Sequence, residues 1–488
     1  MEKLLRISIF PIWITFLLIG CTPEVKDAEN VDVFPSIYPD YTDITVPCNI
    51  APLNFMFTED GVEAVSIELS CGEDSYQKTY RGEKISFDLN DFKSWTRKHK
   101  GQVTEVQTFA RIHGQWKKYR VFTWDIANEE IDSYLTYRLI EPGYEVWNQI
   151  QIEERCTENF DSKLLADNSL LGNKCMNCHV HGGNQGQYSF FYVRGEGGGT
   201  LLNRDGKLSK VTLKNPQMNG ATVYGDFHPT GRYGVFSTNV IMPAFHSKDA
   251  RRLEVYDTTS DLCIADFEHN HMILSPLTAD STKFETFPTF SADGTRIYYC
   301  GADVEQPLPE QVEKLHYSLC SISFDASKGE WGTQVDTLWN ARTEGGSANF
   351  PKASPDGRYL LFTRSDYGTF PIWHKEADLY LIDLKTGEVQ NLSEANSDRS
   401  DTYHTWSHNS RWIAFASKRG DGQYGRVYFA YLDKEGHAHK AFALPQKDPE
   451  KDLLNLKSYN IPDLSTVSMP YDAQSMVNLM DGPATPYN

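Results

Sequence analysis

The sequence predicts a mainly β protein whose larger part is a β-propeller of five or six blades, and three observations carry that expectation. The first is self-similarity: the stretch from Tyr224 to Asn239 is matched by Phe287 to Cys300, by Phe350 to Thr363 and by Tyr403 to Ala416. The turn glycines Gly231, Gly294 and Gly357 are 63 residues apart, and Ser410 follows 53 later. A period of that length means stacked supersecondary units. The second is turn chemistry. In Ser354-Pro355-Asp356-Gly357 the proline presets φ, the aspartate bonds back to the backbone and the glycine accepts a positive φ, so the chain reverses tightly. The third is composition: 26 Tyr, 26 Phe and 10 Trp suit strands, while long 3.6-residue patterns are scarce.

Taken from the N-terminus, residues 1–20 read as an export signal. Lys3 and Arg6 precede an apolar run from Ile7 to Ile19 that is too short to span a bilayer and is interrupted by Pro11. Leu18-Ile19-Gly20-Cys21 resembles a bacterial lipobox, which implies cleavage before Cys21, lipidation of that cysteine and a membrane tether. Thr22 at the next position favours, by analogy with Gram-negative sorting, the outer membrane. Residues 21–33 are polar and acidic and read as a flexible tether. Residues 34–131 show short alternating runs such as Lys84 to Leu89 separated by Glu59-Asp60-Gly61 and Arg81-Gly82-Glu83, a pattern for a small immunoglobulin-like β-sandwich.

Residues 132–187 lack strand alternation, as in Val146 to Glu154 and Asn159 to Leu171, and read as turns and a short helical haem-binding segment. Residues 188–467 form the propeller. Each unit pairs an inner turn with an apolar strand such as Arg358 to Thr363 and two outer strands such as Asp378 to Leu384 and Glu388 to Leu392. Tyr188 to Arg194, Gly199 to Leu202 and Leu208 to Leu213 supply a further blade, and Asp452 to Val467 closes the circle. The tail 468–488 reads as loosely ordered. From Ser354 to Arg358 and from Asp378 to Leu392 the repeats resemble the WD-like repeats of the TolB-type propeller family over roughly residues 220 to 445; that resemblance implies the fold and an envelope binding or scaffold role.

The chemistry centres on Cys175-Met176-Asn177-Cys178-His179, a C-x-x-C-H, which reads as an attachment site for c-type haem. Cys175 and Cys178 would each add to a vinyl group, and His179 would ligate the iron. A zinc site would need a fourth ligand and a second C-x-x-C, a thioredoxin-type pair would open a helix, and a plain disulfide is the bland alternative. Leu164, Leu165, Leu170, Phe190 and Phe191 are candidate haem walls. For the sixth iron position Met218, Met242 and His246 are candidates, with His246 favoured; His181, two residues past His179, reads as a surface-loop histidine. His404, His408, Asp401 and Asp398 cluster in sequence, and turn chemistry explains them.

Nine cysteines divide into Cys21 for lipid, Cys175 and Cys178 for haem, and six others. Of these, Cys48–Cys71 is the expected disulfide, and Cys263, Cys300 and Cys320 are expected as buried thiols. The run Gly195 to Thr200 lacks Gly-Lys-Ser/Thr and reads as a hairpin turn. No G-x-S-x-G occurs. A net charge of -19 excludes nucleic acid and charge-driven binding to anionic lipid. The expectation is a lipid-anchored haem c protein of a Gram-negative envelope, an electron carrier rather than an enzyme, which docks a redox or envelope protein on its propeller face. The alternative is a TolB-like binding or scaffold lipoprotein in which haem is structural or sensory.

Overall fold

A computed structural model describes residues 23–141, 149–245 and 253–488. The expected signal 1–20, the lipidated Cys21 and the candidate ligand His246 lie outside the described residues, as do the first three residues of the Val146 to Glu154 stretch. The fold is mainly β and of propeller type. Among the described residues six sheets of four or five strands follow one another, antiparallel except for one short parallel edge pair, and each has one inner strand. These inner strands are Ser458–Ser465, Met176–His181, Gly225–Phe227, Lys283–Phe290, Ser347–Ala353 and Asp401–Trp406. They touch one another in that cyclic order, the sixth returning to the first, and so enclose a channel.

Packing of each sheet between two neighbours explains why its strands read as apolar runs. In Tyr359–Ser365 nearly every residue is buried, because Leu360 and Phe362 join the core on one side while Tyr359 and Leu361 join the core on the other. The turns behave as expected. Ser354 Oγ and the Arg358 N–H both bond to Asp356, and Gly357 has φ of 72°. The sheet built from Tyr188–Val193, Gly199–Arg204 and Lys207–Thr212 is present, with Gly195 to Gly198 as its hairpin turn.

Several expectations are corrected. Residues 132–187 are not a helical haem segment: Tyr134–Ile140, Ile150–Cys156 and Ser162–Asp167 form a sheet with Ser458–Ser465, and the motif itself starts the next sheet. Leu135, Tyr137 and Leu139 of the first strand join one core and Ile150, Ile152 and Leu165 of the next two join another, with polar Gln, Glu and Arg between them. The tail is ordered, with a helix Ala473–Met480 whose Met476 is buried, and Thr485–Pro486 adds an edge to the second sheet. The tether is ordered by Glu29–Asn30, which pair with Lys117 and Lys118.

The N-terminal unit has a seven-stranded and a three-stranded sheet, plus an unexpected helix, Leu89–Lys98, capped by Asp88. Its strands include parallel pairs, Glu29–Asn30 with Gln115–Lys118 and Ile44–Pro47 with Phe122–Ala127. Its core is continuous with the sixth sheet through Trp412, Phe429 and Phe442. Cys48 and Cys71 are separate buried thiols, and Cys71 Sγ faces Gln102 Oε1 at 3.2 Å, so the expected disulfide is absent. Cys263 and Cys300 are fully buried thiols and Cys320 is half-buried. No described helix is long and apolar enough to cross a membrane.

Candidate functional site

The C-x-x-C-H motif lies along an inner strand, with Cys175 at the channel end where the strand begins and His181 near the end where it leaves. Pairing with Tyr188–Val193 slips between Asn177 and Val180, so Cys178 and His179 together oppose one residue. This is a β-bulge, a device that re-aims a side chain. Corresponding slips occur between Thr286 and Thr289, Asn349 and Lys352, and Thr402 and His404. Phe287, Phe350 and Tyr403 adopt positive φ there. The motif therefore occupies a kink that the inner strands share.

The shared kink builds a collar. Tyr224, Phe287, Phe350 and Tyr403 are neighbours round the channel, with ring centroids 4.9, 4.5 and 4.2 Å apart. His179 and Ile461 line the same cavity, of about 80 Å³, and so take the remaining places in the collar. His179 is 3 % exposed. Neither of its ring nitrogens makes a hydrogen bond of ordinary geometry. Burial first, then the neighbouring His181, lowers its pKa to about 3, so the imidazole is neutral.

Above the collar, at the face where the inner strands begin, is a cavity of about 190 Å³. That is well above the ~10–15 Å³ that a cavity needs to hold a single water. Cys175, Tyr224 and Phe370 line it, and Phe370 caps the collar, 5.0 Å from Phe287 and 5.3 Å from Tyr224. Most of the lining is apolar, but Arg138, Arg194 and Lys418 also face it. Lys418 is 6 % exposed, rests on the face of Trp373 and donates to the Gln423 carbonyl at 3.1 Å. Burial lowers its pKa to about 7.

One wall of this cavity is a hairpin, Val240–Phe245 with Leu253–Thr259, inserted between two strands of the third sheet. A buried network fastens it. His374 Nε2 bonds to Glu254 Oε1 at 3.0 Å, His374 Nδ1 to Glu376 at 3.2 Å, and Tyr367 donates to Glu254 Oε2 at 3.0 Å. Burial pushes the His374 pKa down, but the bonds to Glu254 and Glu376 outweigh it and raise the value to about 9. His374 is thus an imidazolium held between carboxylates.

At the opposite face the channel opens into a polar chamber of about 360 Å³ lined by His181, Asp226, Thr289, Lys352, Thr405 and Asp463. These come one from each inner strand. His181 is 6 % exposed, so it is a channel residue and not a surface-loop histidine; strand alternation about the bulge sets it 6.0 Å from His179, ring to ring. His404 also lines the collar cavity and bonds through Nε2 to the Leu361 carbonyl at 3.1 Å. His408 bonds to Asp132, Asp401 pairs with Arg419 at 3.0 Å, and Asp398 is exposed. They do not form a cluster.

Other expected site residues are elsewhere. Met218 packs on the core between the second and third sheets, accepts a bond from the Asn215 N–H and lines neither channel cavity. Met242 is on the hairpin and half exposed. Leu165 and Phe191 fill one core, Phe190 another, and Leu170 is exposed, so the expected haem walls do not surround His179. The side chains of Asn177 and Cys178 are outside the described set. No group of three or more His, Cys, Asp or Glu side chains that could hold a metal ion occurs among the described residues.

A c-type haem needs thiols, a neutral imidazole, apolar walls and cations for its carboxylates. Cys175, His179 and the walls and cations of the entry cavity fit the group in kind. The main chain adds a constraint. Residues three apart in extended backbone are roughly 10 Å apart, against roughly 5–6 Å between side-chain roots on a helix, so attachment requires the stretch from 175 to 178 to contract.

No family model and no curated protein matches the chain. Among solved structures it is similar to a Mycobacterium tuberculosis puromycin-hydrolyzing peptidase, with 14% identity and a TM-score of 0.34 over 54% of this chain and 38% of that one. Prolyl oligopeptidase B from Galerina marginata aligns with 11% identity and a TM-score of 0.36 over 69% and 42%. The dipeptidyl peptidase 4 of Porphyromonas gingivalis aligns with 11% identity and a TM-score of 0.27 over 72% and 59%. The chain spans about two fifths of the length of the first two. Likeness of this degree carries no functional argument.

Proposed function

We propose that this chain is a c-type haem protein of a bacterial envelope that carries single electrons, with Cys175 and Cys178 as covalent anchors and His179 as the proximal ligand. The six sheets are read as six blades of one TolB-like propeller. The observation that carries the reading is the position of the motif: Cys175 lines a cavity with apolar walls and cations, and His179 presents a neutral, buried imidazole in the adjoining collar. When bound, haem supplies a one-electron couple whose potential is set by axial ligation, burial and nearby charge. The collar keeps water from His179, and Arg138, Arg194 and Lys418 supply positive potential beside the site.

Cys21 would tether the protein, in the outer membrane, and a redox or envelope protein would dock on the propeller face. His246 is the candidate for the sixth position. The second reading, a TolB-like binding lipoprotein, is favoured by the lining of the entry cavity, apolar walls with a few convergent polar groups. Expression of the full chain with haem-ligation machinery, followed by a haem-peroxidase stain of a denaturing gel, tests the first reading. A stained band that is lost in the Cys175→Ala, Cys178→Ala variant supports it; colourless protein overturns it.

A further inference from the structure

We propose that the entry-face cavity is a receptor for amphipathic carboxylates, an apolar body bearing a carboxylate head, and that Lys418 holds the head. The inference deepens the reading above by naming the chemistry the same cavity takes.

It starts from charges that the fold leaves uncompensated. Lys418 is almost fully buried, yet among the described residues its ammonium bonds only to the Gln423 carbonyl and the Trp373 ring. Asp401, which pairs across the sheet with the neighbouring Ser417, is taken by Arg419. Asp421 adds only a distant attraction. Arg194 lines the same cavity, with Nε buried and without a hydrogen-bond partner. Glu141, the one acid among the described lining residues, forms an ion pair with neither.

Burying an ammonium without a counter-charge costs several kcal/mol, and a fold gains nothing from keeping one. The walls around it are Ile140, Ile150, Ile241, Leu253, Val255 and Ile372. An entering carboxylate would restore charge balance at Lys418 while its apolar body covers those walls. A neutral amphiphile of equal length would gain the walls alone. A bare anion would gain the charge alone, and so bind weakly.

Two sources share this chemistry: the propionate groups of a covalently attached haem, and a free medium-chain fatty acid. Calorimetry on the full chain made without haem-ligation machinery, with octanoate and 1-octanol as probes, tests the receptor. Octanoate binding at least tenfold tighter than octanol is expected, with that preference lost in Lys418→Met, mostly kept in Lys418→Arg and reduced in Arg194→Met. Octanoate shut out of the haem-loaded protein assigns the head site to propionate; octanoate still bound assigns it to the free acid. Equal affinities for the two probes, or an undiminished preference in a folded Lys418→Met protein, overturn the proposal. A chain that never stains for haem but still prefers octanoate sinks the haem reading and leaves the receptor standing.

Discussion

The two ends of the channel are built by the same six strands and treat charge in opposite ways. In the far chamber every charged group has company: Lys352 approaches Asp226 at 3.9 Å, Asp226 accepts from Thr289, and Asp463 accepts from Thr405 Oγ1 at 3.0 Å and from the His181 N–H at 2.8 Å. In the entry cavity Lys418 and Arg194 face mostly apolar walls, and neither makes an ion pair with a described carboxylate, Glu141 of the lining included. A scaffold that can balance its charges at one end and does not at the other is holding the imbalance for something else. Proteins break local rules of this kind at functional sites and offset the loss elsewhere.

The largest expected effect comes from the network that fastens the entry-face hairpin. His374→Ala leaves Glu254 buried without its imidazolium and should cost about 3–5 kcal/mol, read as a fall in denaturation midpoint. A group whose pKa is raised on folding stabilises below its unfolded value and loses that contribution as pH climbs through the folded one. Stability owed to His374 should therefore drain away between pH 6.5 and about 9, and His374→Gln should remove that falling limb.

Lys418 should behave in the opposite sense. Its pKa is lowered on folding, so its cost is in full force below about pH 7 and fades as pH rises towards 10.5. Lys418→Met should stabilise the ligand-free protein by about 1–4 kcal/mol at pH 6 in a chemical denaturation. A destabilised variant would mean that the lysine is compensated after all and that the contrast between the two ends is false. The smallest effect belongs to the far chamber. Lys352 is about one third exposed, so Lys352→Met should lose no more than about 1 kcal/mol, with the opposite sign to Lys418→Met.

The turns and the outer strands of each unit were legible because their signals are local: Ser354, Asp356 and Gly357 fix a reversal within a few residues. The strand bearing the motif was not. Met176 to His181 has no clean alternation, since the bulge at Cys178 and His179 breaks the period of two. For the same reason His181 could not be told from a loop residue. Lys418, Trp373, Arg194 and Glu254 were invisible as a group, because they come from four separate parts of the chain and only ring closure brings them together. The helix Leu89–Lys98 had a signal that could have been used, Asp88 followed by Leu89-Asn90-Asp91, where the Asp88 side chain accepts from two N–H groups.

The strand Ser458–Ser465 completes a sheet whose other members end at Asp167. Almost three hundred residues must be made between them. At synthesis rates of about 5–20 residues per second the thiols of the motif would precede that last strand by roughly 15–60 s. An attachment enzyme would thus meet a pliable, unshielded segment, and the contraction that a finished ring resists would be cheap at that moment. On the haem reading, order of manufacture, more than final shape, would then set when such chemistry is possible.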